Sequence, residues 1–170
     1  IVPGGVRRDI SPELADELLG VLKTIEKELV TIHKAIIGDT SIHRRTKGVG
    51  HITTEEAKLW SLVGPVARAR NVDIDARRDH PYAAYDEMQF EVPVVDSNDV
   101  WGTVVVRIVE TFEAIKIIRQ ALEKMPAGPV MIDFPEEVKP LQHAIAAVEA
   151  PRGEVVHYLI TGDENRPERW

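Results

Sequence analysis

The residues with the clearest chemical potential lie in a short turn near the end of the chain. Residues 149–154 read EAPRGE, with Arg152 beside Pro151 and between Glu149 and Glu154. Proline fixes the backbone φ and glycine permits close approach, so this turn would aim a guanidinium in a defined direction. A guanidinium offers fixed donors that stay charged at physiological pH, which suits an anionic partner. Turns also tolerate charge, which leaves a purely structural alternative.

A second polar cluster lies in the middle of the chain. Residues 77–87 read RRDHPYAAYDE, where Arg77 and Asp79 precede Tyr82 and Tyr85. A loop of this composition is typical either of a cavity wall or of an ion-paired surface whose tyrosines pack on the core.

The sequence predicts no metal site made from these residues alone. The chain has no cysteine, and its six histidines show no spacing that places two ligands on one helix face. Nucleotide-binding and serine-hydrolase motifs are also missing. Several carboxylates are expected in surface turns rather than in a hydrolytic pair: Asp73, Asp75, Asp79, Glu149 and Glu154.

Composition and charge limit the possible partners. The 170 residues are 44% hydrophobic and 29% charged, as in an ordinary globular protein, with a net charge of −7. This charge argues against binding to nucleic acid or to an anionic membrane surface. No apolar run reaches the roughly 18 residues of a membrane span, so we expect no direct membrane insertion, only contact through partner subunits. We expect residues 1–170 to be a single domain, excised from a longer polypeptide.

Two long helices are predicted to position these residues. Ser11 and Pro12 start the first, whose apolar residues recur every three or four positions up to a C-cap at Gly38. Asp99 starts the second, which Pro126 stops. A capping box from Thr53 to Glu56 begins a short helix that Gly64 and Pro65 close. His43 and His51 are expected in loops.

Small β elements complete the prediction. Residues 88–95 and the sequence PVMID (129–133) read as strands, and the apolar segments flanking EAPRGE read as a hairpin. The predicted fold class is therefore α+β, with two long packed helices, one short helix and small antiparallel β elements.

Five motifs occur in a fixed order along the chain: GGVRRDI (4–10), GVG (48–50), VGPVARA (63–69), DARRDHPYAAYDE (75–87) and EAPRGEVVHYL (149–159). Together they resemble the central part of the large, catalytic subunit of energy-converting, membrane-associated nickel–iron hydrogenases of the carbon-monoxide-induced, formate-hydrogenlyase and Ech types. The pattern is also similar to the homologous D-type subunit of respiratory complex I, NADH:quinone oxidoreductase, which forms its quinone pocket.

The hydrogenase resemblance implies an excised part of the large-subunit fold. It also implies a nickel–iron centre with CO and cyanide ligands, held by four cysteines outside this fragment, and interconversion of protons and H2. The partners would be an iron–sulfur small subunit and membrane subunits, at the cytoplasmic face of the membrane. The isolated fragment is expected to be metal-free and inactive.

The resemblance also implies roles for single residues. The positions of Pro151 and Arg152 would lie beside the iron, with Arg152 over the site where hydrogen is handled. A surrounding group of residues would orient the arginine or pass protons: Glu149, Glu154 and His157. Other residues would form the cavity wall or a subunit contact: Arg68, Arg77, Asp79, Tyr82 and Tyr85. Glu154 departs from the small residues of uptake hydrogenases.

Two alternatives stay open. The complex I form, which uses a quinone cavity and no metal of its own, more often has lysine after the proline, so Arg152 favours the hydrogenase branch. The other alternative is a non-catalytic docking domain, in which EAPRGE is only a structural turn.

Overall fold

The structure is a computed structural model that describes residues 2–135 and 137–170. Its elements follow in the order α1 (Pro12–Gly38), α2 (Thr40–Thr46), α3 (Thr54–Leu59), α4 (Gly64–Arg68), α5 (Ala76–Asp79), α6 (Val100–Lys124), β1 (His143–Ala150), β2 (Gly153–Thr161) and β3 (Pro167–Arg169). Single 3₁₀ turns lie at Tyr85–Glu87 and Asp163–Asn165. A mixture of helices and a small antiparallel sheet confirms the predicted α+β class.

The two long helices pack on each other as predicted. An ion pair of 2.9 Å joins Glu26 of α1 to Arg119 of α6, and the rings of His33 and Phe112 lie 6.1 Å apart between centroids. Val106, Ile108 and Ile115 of α6 are buried, as is Leu22 of α1. Other members of the predicted α1 stripe remain exposed: Leu14, Val21, Ile25 and Ile32.

The helix starts follow the sequence, whereas one helix end does not. Ser11 accepts a hydrogen bond from the Leu14 amide, and Asp99 accepts one from the Gly102 amide. Gly38 was predicted as a C-cap but lies inside α1, and Asp39 ends the helix. The side chain of Asp39 also caps α2, so one residue ends one helix and starts the next.

The region between the long helices holds four short helices where one was predicted. The capping box of Thr53 and Glu56 is present and starts α3. The prediction that Gly64 and Pro65 close this helix was wrong, because α3 ends at Leu59 and these two residues begin α4. His43, expected in a loop, lies in α2.

The predicted strand over residues 88–95 is absent, because no residue of this described segment belongs to a strand. Side chains of α6 take the place of a partner. Gln120 accepts from the Gln89 amide and donates to the Gln89 carbonyl, at 2.9 and 2.7 Å, and Glu113 accepts from the Glu91 amide at 3.0 Å. These backbone groups are therefore satisfied without a ladder.

The hairpin near the end of the chain is confirmed. β1 and β2 pair antiparallel from His143 opposite Ile160 to Ala150 opposite Gly153, and β3 adds a short third strand. The PVMID segment forms only one isolated bridge within the described chain, between Met131 and Gly5. Among the described residues, no helix combines the length and apolarity needed to cross a membrane.

Candidate functional site

A buried arginine lies at the centre of the candidate site. Arg68 is the last residue of α4, and only 1% of its side chain is exposed. The alanines on either side, Ala67 and Ala69, are fully buried and leave room for the long side chain to run inward. A buried cation is costly unless it is paired and hydrogen-bonded, so its partners define the site.

Three carboxylates surround this guanidinium. Arg68 Nε donates to Oε1 of Glu110 on α6 at 2.7 Å, and Nη1 lies 3.0 Å from Oε1 of Glu149 on β1 and 3.4 Å from Oδ2 of Asp75. The exposed fractions of these carboxylate side chains are 17% for Glu110, 5% for Glu149 and 0% for Asp75. One buried cation thus joins three segments that are distant in sequence.

A second arginine completes the group. Arg77 of α5 donates two side-chain hydrogen bonds of 2.6 and 2.9 Å to Asp75, and its guanidinium lies 5.1 Å from the ring centroid of Phe90. We call Arg68, Asp75, Arg77, Glu110 and Glu149 the Arg68 cluster. With all five ionised it carries two positive and three negative charges.

The carboxylates of the Arg68 cluster differ in acidity. Burial disfavours ionisation of Asp75, but hydrogen bonds from Arg77 and the charges of Arg77 and Arg68 outweigh it, and the pKa of Asp75 is lowered. For Glu110 the balance is reversed, because burial raises the pKa more than the charge and hydrogen bond of Arg68 lower it. Glu110 therefore holds its proton more readily than an ordinary glutamate.

An open cleft of about 590 Å³ borders the cluster. It lies between α1, α6 and the hairpin turn. Apolar and polar groups both line it: Leu29, Val104, Ile108 and Ala114 on the apolar side, and Arg68, Arg77, Arg107, Glu110, Thr111 and Glu149 on the polar side, with Ala150 and Pro151 at the turn. A cavity of this size and mixed lining suits a small organic ligand with a polar head.

The hairpin turn is pinned against the start of α4 by two glycines. Gly64 has φ +66° and Gly153 has φ +123°. A Cβ placed on Gly64 would lie 2.4 Å from the Gly153 Cα, so neither position has room for a side chain. Pro151 lines the cleft, and its carbonyl oxygen lies 3.5 Å from Arg107 Nη1. The Arg152 side chain is exposed and has no hydrogen bond or ion pair within the described chain.

The remaining predicted site residues fall in three places. Tyr82 and Tyr85 pack edge to face with ring centroids 4.9 Å apart, and the Tyr82 hydroxyl accepts from the Glu149 amide at 3.1 Å. Asp79 and Glu154 line a small pocket of about 130 Å³ together with Asp75 and Glu149. His157 lies further along β2, exposed, and stacks on Trp170. The structure thus brings Arg68, Arg77 and Glu149 together and leaves His157 apart.

Sequence reasoning misjudged two carboxylates and missed a third. Asp75 and Glu149 were expected in surface turns, but both side chains are buried against Arg68. Glu110 was not recognised at all, because it lies beside the apolar stripe of α6 and reads as an ordinary polar helix residue. The available signal was Arg68, which has no acidic residue within four positions in the sequence, so that a buried site must supply its partners from elsewhere.

Comparison with known proteins gives the family of this chain. Residues 1–145 match the family described as the 49 kDa subunit of respiratory-chain NADH dehydrogenase. The chain belongs to this family.

Individual relatives agree with that assignment. The D-type subunit of NADH-quinone oxidoreductase from Thermosipho melanesiensis is 36% identical over 99% of this chain and 47% of its own length. The carbon monoxide-induced hydrogenase of Rhodospirillum rubrum is 36% identical over 98% of this chain and 46% of its own. The chain spans about half the length of these curated relatives.

A solved structure is also similar. The membrane-bound sulfane sulfur reductase, an archaeal respiratory membrane complex, contains a chain that superposes with a TM-score of 0.89 at 29% identity, over 99% of this chain and 47% of that one. Together with the family match, the relatives support the complex I alternative better than the hydrogenase branch that Arg152 favoured. An oxidoreductase family is common to both.

Proposed function

We propose that this chain is part of the D-type subunit of a membrane-associated NADH:quinone oxidoreductase, and that its cleft forms part of the wall of the quinone cavity. The observation that carries the proposal is the family match over residues 1–145, together with similarity to a D-type subunit over nearly the whole chain. Electrons would arrive from an iron–sulfur partner subunit. Membrane subunits would hold the complex at the cytoplasmic face of the membrane.

The chemistry of the cleft supports this function. A quinone has a flat apolar ring and two carbonyl oxygens that accept hydrogen bonds. The apolar side of the cleft, including Val104 and Ile108, would contact the ring, while Arg107 and Arg77 offer donors to a carbonyl. Guanidinium donors also stabilise the negative charge that develops on a quinone oxygen as it receives electrons.

A second candidate is the large subunit of a nickel–iron hydrogenase. The specific observation in its favour is the carbon monoxide-induced hydrogenase, which at 36% identity is as similar as the Thermosipho melanesiensis relative. The residues of this chain do not fit a nickel–iron centre by themselves, because the sequence has no cysteine and the described residues contain no cluster of three or more potential metal ligands. On this second proposal the thiolates would come from outside these 170 residues, and Pro151 and Arg152 would lie beside the metals.

The experiment that separates the two is purification of the complex that contains this chain, followed by two assays and a metal analysis. Electron transfer to a soluble quinone without bound nickel supports the first proposal. Hydrogen evolution with reduced viologen as the electron donor, in a complex that contains one nickel per copy of this chain, supports the second proposal. A complex with neither activity would contradict both.

The substitution Arg152→Lys adds a sharper comparison. Lysine keeps the positive charge but loses the planar fork of donors. If Arg152 acts beside a metal centre, hydrogen turnover should fall by orders of magnitude with nickel content unchanged. If the chain serves a quinone cavity, quinone reduction should stay within about twofold, because lysine is frequent at this position in the complex I form. Glu123→Gln, an exposed change on α6, is a control that should affect neither assay.

A further inference from the structure

Glu110 differs from the other two carboxylates of the Arg68 cluster in how its oxygens are used. Both oxygens of Asp75 are bound, Oδ1 by the amide and Nε of Arg77 and Oδ2 by Arg77 Nη2. Both oxygens of Glu149 are bound as well, Oε1 by Arg68 and Oε2 by the Ala76 amide. Glu110 accepts only through Oε1, from Arg68 Nε, and within the described chain Oε2 accepts no hydrogen bond.

The position of Glu110 makes that free oxygen reachable. Its side chain lines the cleft and keeps 17% of its surface exposed, against 5% for Glu149. Solvent or a ligand in the cleft therefore meets this carboxyl, whereas the Asp75 side chain is fully buried and does not line the cleft.

The charge balance of the cluster also favours a proton on Glu110. With all groups ionised, the two guanidiniums face three carboxylates, which leaves one uncompensated negative charge in a poorly solvated place. One proton neutralises the cluster, and Glu110 is the group that can accept it without breaking a hydrogen bond. Arg68 stays paired with Asp75 and Glu149 in either state.

The groups that face Glu110 from the neighbouring elements are few. Arg68 lies on α4, Asp75 and Arg77 lie at the start of α5, and Glu149 lies on β1. On α6 itself Arg107 lies one turn earlier and also lines the cleft, while α1 contributes the apolar Leu29 to the lining. Among the described residues that line the cleft, Glu110 and Glu149 are the acidic ones.

We infer that Glu110 is the proton-exchange site of the cleft, a carboxyl that binds and releases one proton at Oε2 while Oε1 keeps its hydrogen bond from Arg68. This role rests on the proposed function: Glu110 serves as the proton donor to an acceptor that is reduced in the cleft. In each reduction step the acceptor gains one electron from the iron–sulfur partner and one proton from Glu110, which becomes a carboxylate and regains a proton from the bulk solvent. Two such steps convert a quinone to its quinol. Burial, which raises the pKa of Glu110, supports this role.

Infrared spectroscopy of the purified complex tests the proton site without any redox turnover. Protonated carboxyls absorb in a separate carbonyl region, so a pH titration of the resting complex should show a band that disappears at a pH above the ordinary range of glutamate. The band should be lost in Glu110→Gln and retained in Glu123→Gln, an exposed glutamate on the same helix. An unchanged band in Glu110→Gln would overturn the assignment.

Steady-state rates in the same complex test whether proton donation by Glu110 is coupled to reduction of the acceptor. Glu110→Gln keeps an acceptor for Arg68 but cannot carry a proton, so turnover should fall by roughly 10²-fold, as is usual for loss of a general acid. Glu110→Asp restores an ionisable group and should recover part of the rate with a shifted pH profile, an effect that a purely structural role would not produce. A normal rate and pH profile in Glu110→Gln would contradict the coupling.

The two tests also separate this inference from the proposed function. If the titrating band belongs to Glu110 but the complex reduces neither quinone nor protons, the proposed function fails and the proton site stands. If quinone reduction is observed but Glu110 stays ionised throughout the titration, the proposed function stands and the proton site fails.

Discussion

Arg68 and Glu149 are joined by two hydrogen bonds although 81 positions separate them in the sequence. Nη1 and Nη2 of Arg68 reach the same oxygen of Glu149, at 3.0 and 3.1 Å, and the other oxygen accepts from the Ala76 amide at 3.2 Å. The carboxylate of one hairpin strand therefore ties together the end of α4 and the start of α5. The link lies two residues before Pro151, at the base of the hairpin turn.

Removal of the buried cation should be costly. Arg68→Met leaves Asp75, Glu110 and Glu149 with only Arg77 to balance them, and breaking a buried ion pair in this way costs about 3–5 kcal/mol. We expect the midpoint of urea unfolding to fall by the corresponding amount. The dependence of the free energy of unfolding on urea concentration should change little. The control is Arg152→Met, which removes an exposed arginine without described partners and should change the free energy of unfolding by less than about 0.5 kcal/mol. Equal losses in both variants would contradict the structure.

The two perturbed carboxylates should give opposite pH dependences of stability. The lowered pKa of Asp75 contributes stability that is present above its unfolded value of about 3.9 and is lost as the pH falls through the folded value. The raised pKa of Glu110 contributes stability that is present below its unfolded value of about 4.3 and is lost as the pH rises through the folded value.

Unfolding of Asp75→Asn and Glu110→Gln between about pH 3 and 8 measures both effects. Asp75→Asn should be less stable than the natural protein, and this difference in the free energy of unfolding should become smaller towards the acidic end of the pH range. The free energy of unfolding of Glu110→Gln should increase relative to that of the natural protein as the pH rises above about 4.3. Parallel curves for the natural protein and Glu110→Gln would show that the acidity of Glu110 does not change on folding.

Much of the frame could be predicted from local sequence signals. Ser11, Asp99 and the Thr53–Glu56 capping box act within three residues, and the hairpin around Pro151 depends on one turn and two apolar runs. The prediction of a strand over residues 88–95 failed because the sequence pattern is typical of a strand, while Gln89 and Glu91 bond to the side chains of Gln120 and Glu113. At the end of the segment, Val95 bonds to the backbone of Arg68 and Asn71. A helix that satisfies a neighbouring backbone leaves no pattern in the neighbour's sequence.

The site was harder to predict than the frame. Arg68 and Arg77 could be singled out from their motifs, but the burial of Asp75 and Glu149 follows from long-range packing that local polarity does not report. Glu110 needs the positions of both α4 and α6 before its contact with Arg68 is visible. The arrangement of charges thus depends on tertiary contacts rather than on spacing along the chain.

The contact between Gly64 and Gly153 gives a prediction about the turn. Gly64→Ala places a Cβ 2.4 Å from the Gly153 Cα in a backbone of φ +66°, where the left-handed conformation alone costs roughly 1–2 kcal/mol. We expect a loss of more than about 2 kcal/mol in the free energy of unfolding. Gly20→Ala is the matched control: Gly20 lies inside α1 with nothing within 4 Å of the added carbon, and alanine there should stabilise by about 0.5–1 kcal/mol. Similar effects of the two substitutions would count against the close contact.

A substitution that fills the cleft tests whether ligand binds there. Ala114 lines the cleft on α6, and phenylalanine at this position would occupy space that the proposed quinone ring needs. In the assembled complex we expect Ala114→Phe to raise the KM for quinone roughly tenfold, a loss of about 1.4 kcal/mol in binding, with a smaller effect on kcat. Ala121→Phe adds the same side chain on the exposed side of α6 and should leave both constants unchanged. A normal KM in a correctly assembled Ala114→Phe complex would place the quinone elsewhere, because a ring cannot share the cleft with the new side chain at unchanged affinity.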